Sequence, residues 1–336
     1  MNRSSKILII VFVLLSLITG YFVINQKKSE DPVFVDPLLK DRDFAVQNMD
    51  EIERIAIKRK KYPPLIFTKM EGKWVINDRY KVNEETMPHL LAVLKGVKMK
   101  YIPPVNMQKT IVKDIAQNGI EVMLYNGEKE VVKHYFVGSE FGDGSDTPFL
   151  MKGSAQPFMM FLPGLDGSVR RRLNYNIGEW KSKIVFEEEV DKIKKIEMDY
   201  PQDRTSGFTI TKYNDGYKIL NADNEVTNRT PNQNTMAAYF DFFSYIRGES
   251  NESDNPERKR IVASPVFCKL SIVYTDNTTK SFTFYSMGDL TGDFVTKSPG
   301  NVHVDNKFFI EMPDGEMLLA QYRVLNKIMK PFWYFF

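Results

Sequence analysis

Residues 50–57, DEIERIAI, recur as residues 191–198, DKIKKIEM, and this recurrence decides how the rest of the sequence is read. Both stretches lead into a second match. Residues 66–77, IFTKMEGKWVIN, are echoed by residues 210–221, ITKYNDGYKILN. Each is a β-prone run, a polar turn with Gly and a second β-prone run, which is the pattern of a hairpin. An apolar helical stretch then follows, Met87 to Val97 behind Pro88 in one copy and Met236 to Ile246 in the other. Met87, Leu90, Leu91, Leu94 and Val97 share one helix face.

The later part of the unit repeats as well. Residues 120–127, IEVMLYNG, correspond to residues 268–276, CKLSIVYTD, and Val131–Gly138 corresponds to Ser281–Gly288. That alignment continues into Gly138, Gly142 and Asp143 against Gly288, Gly292 and Asp293, and it sets His134 against Phe284. The spacing between landmarks lengthens along the chain, and the polar run Gly248 to Arg260 absorbs most of the difference as an inserted loop. Ordered landmarks of this kind mark an internal duplication. Each copy reads ββ–α–βββ–α. The closing helix is clearest at Asp314 to Met329, where Met317, Leu318, Tyr322, Leu325 and Met329 line one face. Hairpin connections predict an α+β fold of two tandem repeats, each an antiparallel sheet with helices on one side, preceded by one transmembrane helix. The expected divisions are an anchor at 1–28, a linker at 29–49, a first repeat at 50–178 and a second at 179–336.

Residues Ile7 to Ile24 carry no charge. At about 1.5 Å per residue they reach roughly 27 Å, enough for the hydrocarbon core of a bilayer. Ile7, Leu8, Val11, Leu14, Leu17 and Phe22 are the expected membrane-facing residues. Arg3 and Lys6 before the run balance Lys27 and Lys28 after it, so charge does not orient the helix. Ile18 and Gly20 make only half of a small-residue cleavage site, which favours an uncleaved signal-anchor over a cleaved signal peptide. No Cys lies nearby to carry a lipid.

Composition narrows the function classes. A chain of 336 residues with 43% hydrophobic residues, 24 Phe and 16 Tyr is neither disordered nor collagen-like. Three His and one Cys leave no material for a disulfide framework or a zinc ribbon. A net charge of +3 gives no overall field toward nucleic acid, which is not an expected partner. No cofactor is expected.

The order of landmarks resembles the bacterial domain-of-unknown-function family numbered 4340. The residues that carry it are Ile52, Ile55, Ile57, Gly72, Trp74, Ile76, Asn118, Gly119, Ile120, Val122, Val137 and Gly138. The resemblance covers the body once per copy, and it is stronger in the first. It implies an envelope-associated protein, in some members linked to gliding or transporter machinery, and it carries over no catalytic residues.

Four features invite chemical readings. Glu140, Asp143 and Asp146 fall in one loop and could offer oxygen ligands to a cation, but a long hairpin loop with left-handed glycines explains the same pattern. His134 could act as a base with Glu140 as its orienting partner, or it could be a sheet residue. The basic runs at residues 58–61, 170–172 and 258–260 could touch anionic headgroups or simply end strands and helices. Finally, Phe332, Trp333, Tyr334, Phe335 and Phe336 either pack into the second core or form an anchor for a partner or a membrane interface.

The leading expectation is a non-catalytic, single-pass protein of the bacterial inner membrane. Its duplicated periplasmic body would act as an interaction or assembly module with a protein partner. The alternatives are a binding module for a lipid or envelope polymer, favoured by an apolar pocket between the copies, and a hydrolase built on a carboxylate pair.

Overall fold

The computed structural model describes residues 39–336, except 143, 145, 289–298, 300, 301 and 303–305. The expected anchor residues Ile7, Leu8, Val11, Leu14, Leu17 and Phe22 lie outside the described residues, as do Asp143, Leu290, Gly292, Asp293 and His303. Among the described residues no helix is long and apolar enough to cross a membrane. The described residues divide after Asp43, with a helical turn at Leu39–Arg42 before it and Phe44–Phe336 as the larger unit.

The larger unit is α+β and holds two large antiparallel sheets. The first lobe has strands β1 (Arg54–Arg59), β2 (Tyr62–Met70), β3 (Lys73–Ile76), β4 (Tyr80–Lys81), β5 (Lys98–Tyr101), β6 (Ile120–Tyr125), β7 (Val131–Val137), β8 (Thr147–Met151) and β9 (Phe158–Phe161). Its helices are α1 (Met87–Gly96) and α2 (Val105–Asn118), and α3 (Ile177–Trp180) closes it. The second lobe has β10 (Ile184–Phe186), β11 (Ile193–Asp199), β12 (Phe208–Tyr213), β13 (Gly216–Asn221), β14 (Ile246–Arg247), β15 (Ser250–Asn251), β16 (Val266–Tyr274), β17 (Thr279–Ser286), β18 (Lys307–Glu311) and β19 (Met317–Gln321). Its helices are α4 (Gln233–Asp241), α5 (Arg258–Val262) and α6 (Tyr322–Leu325).

The strand order is β4-β3-β2-β1-β6-β7-β8-β9-β5 in one sheet and β13-β12-β11-β16-β17-β18-β19-β15 in the other. Leaving β4 aside, the two orders correspond strand for strand. The two matched octapeptides sit at equivalent places. Ile55 and Ile57 face Leu124 and Val122 in the first lobe, while Ile196 and Met198 face Ile272 and Leu270 in the second.

Register corrects the alignment further along. Ile120 lies opposite Val137, and Cys268 lies opposite Phe284. Phe284 therefore corresponds to Val137, and His134, opposite Met123, corresponds to Ser281, opposite Ser271. The two Gly-x-x-x-Gly-Asp runs are consequently out of step, because Tyr285 occupies the position of Gly138.

Helices cover both faces of each sheet rather than one. Leu90, Val93 and Leu94 of α1 pack with Ile55, Phe67, Val122 and Tyr135. Ile111 and Ile115 of α2 pack with Leu150 and Met159. Adjacent strand residues point to opposite faces, so Phe149 and Phe158 serve the first cluster while Leu150 and Met159 serve the second. The second lobe repeats this. Met236, Tyr239 and Phe240 of α4 join the main core, and Ile261 of α5 meets Tyr285, Phe309, Met317 and Leu319 on the other face.

The expected closing helix at Asp314–Met329 is instead a turn, the strand β19 and the short helix α6. Met317, Leu318, Leu319 and Ala320 are all buried, Leu318 and Ala320 in the main core and Met317 and Leu319 on the reverse face. A short run that is apolar on both faces is the mark of a covered strand. The expected loop at Gly248–Arg260 contains β15 and the start of α5.

Candidate functional site

Where the two lobes meet, the chain builds a junction that concentrates buried charge. It begins with α3, whose Asn176 and Glu179 form a reciprocal capping box. This fixes the helix start and aims Trp180 into the first lobe. Trp180 is fully buried, edge-on to Phe67 at 5.0 Å and to Tyr175 at 5.4 Å. Its carbonyl accepts from Asn83 N at 2.7 Å, and Asn83 Nδ2 and Thr86 Oγ1 both donate to the Glu179 carbonyl. The expected repeat boundary at 178/179 thus falls inside a helix anchored in the first lobe.

One residue later the chain crosses over. The Lys181 side chain is 4% exposed, and its Nζ lies 3.1 Å from Glu316 Oε2 of the second lobe. The same ammonium sits 4.0 Å from the centroid of the Tyr80 ring. Glu316 also accepts from Ser253 Oγ at 2.6 Å and Asn251 Nδ2 at 3.1 Å. Burial pulls the Glu316 carboxyl upward, but the hydrogen bonds from Ser253, Asn251 and Lys181 outweigh it and hold the group below its ordinary value. Arg247 pairs with Glu85 at 2.5 Å and Lys81 with Glu187 at 3.5 Å, both across the junction.

Two glycines let the backbones meet. A Cβ on Gly178 would lie 3.1 Å from the Asn251 carbonyl oxygen, and one on Gly248 would lie 2.8 Å from that of Leu319. Ser182 N donates to the Lys81 carbonyl at 2.8 Å and Gly248 N to the Lys183 carbonyl at 2.7 Å, so the connection is stitched to the first lobe on one side of the crossing and to the second on the other.

A cleft of about 370 Å³ opens beside the ion pair. Its lining is mixed: Tyr80, Ile184 and Phe282 alternate with Lys81, Glu188 and Lys280. Three ion pairs line it, Lys81–Glu187, Lys181–Glu316 and Lys280–Glu188. Glu188 takes Lys280 Nζ at 2.8 Å and the Tyr274 hydroxyl at 2.6 Å. Burial, and then Glu188, push the Tyr274 phenol up, so it stays protonated as the donor.

The residues singled out in the sequence lie elsewhere. Glu140 meets Arg171 Nε at 3.4 Å, and Asp146 meets Lys100 Nζ at 2.6 Å and the Tyr101 hydroxyl at 2.5 Å. Among the described residues no cluster of three or more His, Cys, Asp or Glu could hold a metal ion. The imidazole Nε2 of His134 is 2.8 Å from Glu121 Oε1, the carboxylate it pairs with in place of the expected Glu140, on the face away from Tyr135. His89 is exposed at the start of α1. All three basic runs brace the fold. Arg59 donates to the carbonyls of Tyr175 and Asn174, Arg170 to those of Val137 and Asn118, and Arg258 to those of Gly315 and Ser253.

The terminal aromatics divide between two roles. Phe335 is fully buried, 4.8 Å from Phe208 and 5.1 Å from Tyr239 by ring centroids. Trp333 is 59% exposed, Tyr334 is exposed, and Phe332 and Phe336 are partly buried. Asn232 N donates to the Phe335 carbonyl at 2.7 Å, the same contact that Asn83 makes to Trp180. Phe335 is therefore the second lobe's counterpart of Trp180. Sequence reasoning passed over Lys181 and Glu316. The available signal was the Asn-x-x-Glu capping box at the seam between copies.

Comparison with protein families, with curated proteins and with solved structures finds no match to this chain.

Proposed function

We propose that this chain is a membrane-anchored, non-catalytic assembly module. In this reading a duplicated α+β unit forms a rigid two-lobed body held outside the cytoplasm by the hydrophobic segment at Ile7–Ile24. The proposal includes the resemblance to family 4340, the periplasmic placement and a protein partner in an envelope complex.

The observation that carries it is the construction of the junction. A binding protein that closes around a ligand needs a hinge between its lobes. Here the crossing segment is clamped by the Lys181–Glu316 pair, by Trp180 and by backbone hydrogen bonds on both sides. A fixed angle between two like lobes suits a spacer or scaffold. Lys81–Glu187, Lys181–Glu316 and Lys280–Glu188 pair along the cleft beside the junction, a density of charge that a lipid site does not call for. That contrast favours assembly over lipid binding. It also gives the cleft's carboxylates structural partners in place of a catalytic pairing.

The test is a crosslinked pull-down of the full chain from intact membranes. The assembly reading expects a stoichiometric protein partner that withstands washing at high salt. Recovery of lipid or glycan at one equivalent per chain, with no protein partner, supports the binding-module alternative and rejects this one.

A further inference from the structure

We infer that the first lobe docks on an anionic bilayer surface through the corner where α1, β5 and α2 follow one another. This rests on the membrane-anchored reading and adds to it which end of the body meets the membrane.

Residues 95–113, KGVKMKYIPPVNMQKTIVK, hold five lysines and no acidic residue. They run from the last turn of α1 through β5 into α2, and β5 is the last strand in the order of its sheet, so they wrap one end of the first lobe. All five lysines are exposed. Lys100 is committed to Asp146, and Lys95, Lys98, Lys109 and Lys113 set the charge of this end. Asp114, the carboxylate that follows the stretch, is taken up by Ser139 and Asn118. The corresponding stretch of the second copy, residues 241–262, runs from the end of α4 through β15 to the end of α5. It carries Asp241, Glu249, Glu252, Asp254 and Glu257. The shared fold therefore does not demand a run of one sign here, and only the copy next to the hydrophobic segment has it.

Apolar side chains lie among the lysines. Val105 is 83% exposed, and Met99, Ile102, Met107 and Phe161 also face solvent. Phe161 stands two residues from Met159 and opposite Lys98 in register, so Phe161 and Lys98 share the sheet face that α2 covers. Val105, Lys109 and Lys113 form one row along α2, away from its buried Ile111 and Ile115. Such a mixture suits the boundary between headgroups and acyl chains. Lysine stems and aliphatic residues settle in the apolar layer there, and the ammoniums reach phosphate. Protein–protein interfaces are depleted in lysine, so the composition favours a bilayer over a protein as the occupant.

The course of the chain brings this end to the membrane. Only residues 25–43 separate the hydrophobic segment Ile7–Ile24 from Phe44. Phe44 packs on Phe149 and on Phe158 of β9, the strand that pairs with β5. Val46 N donates to the carbonyl of Leu94, the residue before Lys95. The chain thus enters the first lobe at the end that carries the basic and apolar side chains. Tether and patch act together, because the tether keeps the patch at high local concentration beside the lipid.

The experiment uses the full chain reconstituted in vesicles of phosphatidylcholine, with or without phosphatidylglycerol. An environment-sensitive fluorophore is placed at Val105→Cys, or at Tyr213→Cys on an exposed strand end of the second lobe. The native Cys268 is buried and does not react. In the anionic vesicles spin-labelled lipid should quench the fluorophore at 105 and not at 213. Omitting phosphatidylglycerol should weaken the quenching. The combined variant K95Q/K98Q/K109Q/K113Q should abolish it while the chain still floats with the vesicles, since each lysine near an anionic surface is worth about fivefold in occupancy. Absence of quenching at 105, or equal quenching at 105 and 213, in a chain that floats with the vesicles overturns the docking and leaves the anchored reading standing. Quenching at 105 that survives the four substitutions overturns it as well. Shielding of position 105 from aqueous iodide without quenching by lipid assigns the patch to a protein surface, and overturns the bilayer as its occupant. A chain that does not float with vesicles at all defeats the anchored reading and this inference with it.

Discussion

Replacing Lys181 with Met keeps the aliphatic stem and removes only the ammonium. The Glu316 carboxylate is then left at 13% side-chain exposure with two neutral donors, Ser253 Oγ and Asn251 Nδ2. Removing one member of a buried pair costs about 3–5 kcal/mol. The two remaining donors put this case near the low end, at about 3 kcal/mol. At about 2–4 °C per kcal/mol for a body of this size, the melting temperature should fall by roughly 6–12 °C. The pH dependence gives a sharper check. In the native chain the Glu316 pKa is depressed, so its contribution is present above the unfolded carboxyl pKa and is lost as pH falls through the folded value. In K181M both lysine contributions are gone while burial remains, so the carboxyl takes up a proton at higher pH than in the native chain. The penalty of K181M should therefore be largest near about pH 7 and shrink toward about pH 4. Calorimetric melts of K181M, E316L and the double variant at both pH values measure this, with the double variant less damaged than the sum of the singles. A penalty below about 1 kcal/mol at neutral pH is what an exposed pair gives. That result, or a penalty indifferent to pH, refutes the reading of Lys181–Glu316 as the buried lock between the lobes.

Phe335→Ala should cost about 3–5 kcal/mol in thermal unfolding, as loss of a core aromatic does, while Trp333→Ala leaves the melting temperature of the monomer within about 0.5 kcal/mol. Equal effects from the two would contradict the division of the tail into core plug and exposed face. Gly248→Ala brings a methyl to 2.8 Å from the Leu319 carbonyl oxygen and should destabilise by about 1–3 kcal/mol, read from denaturant midpoints at unchanged slope. His134→Gln should change stability by no more than about 1 kcal/mol, because its contact with Glu121 is partly exposed. A larger loss would show that the outer sheet face is a tighter network than its exposure indicates.

The hairpins were legible because turn chemistry and strand pattern agree. Glu71 and Gly72 take the left-handed conformation that turn requires, and Gly216 serves the matching turn. The octapeptide repeat was legible because Ile55, Ile57, Ile196 and Met198 fill the same central strand position in each sheet. Other elements were hidden for physical reasons. Met317–Ala320 is apolar on successive residues, which fits a helix or a doubly covered strand equally well. The deciding signal was Pro313-Asp314-Gly315 between two apolar runs, a turn sequence whose Gly315 has φ 83°. Helix α2 buries only Ile111 and Ile115, so its apolar stripe is too thin to stand out in a polar sequence. The register slip at His134 arose because Gly138 and Gly288 look alike in sequence but end strands of different length. The junction was least legible of all, since Lys181 and Glu316 are far apart in sequence and acquire meaning only when the lobes meet.

The claim on which the rest depends is that the two lobes hold one fixed relation. Spin labels at Val131→Cys in the first lobe and Tyr213→Cys in the second, both on exposed strand ends, report it directly by pulsed electron resonance in the full chain. The account predicts a single narrow distance distribution that stays put across ionic strength and broadens in K181M. A broad or two-peaked distribution in the native chain would mean a hinge, and would contradict it.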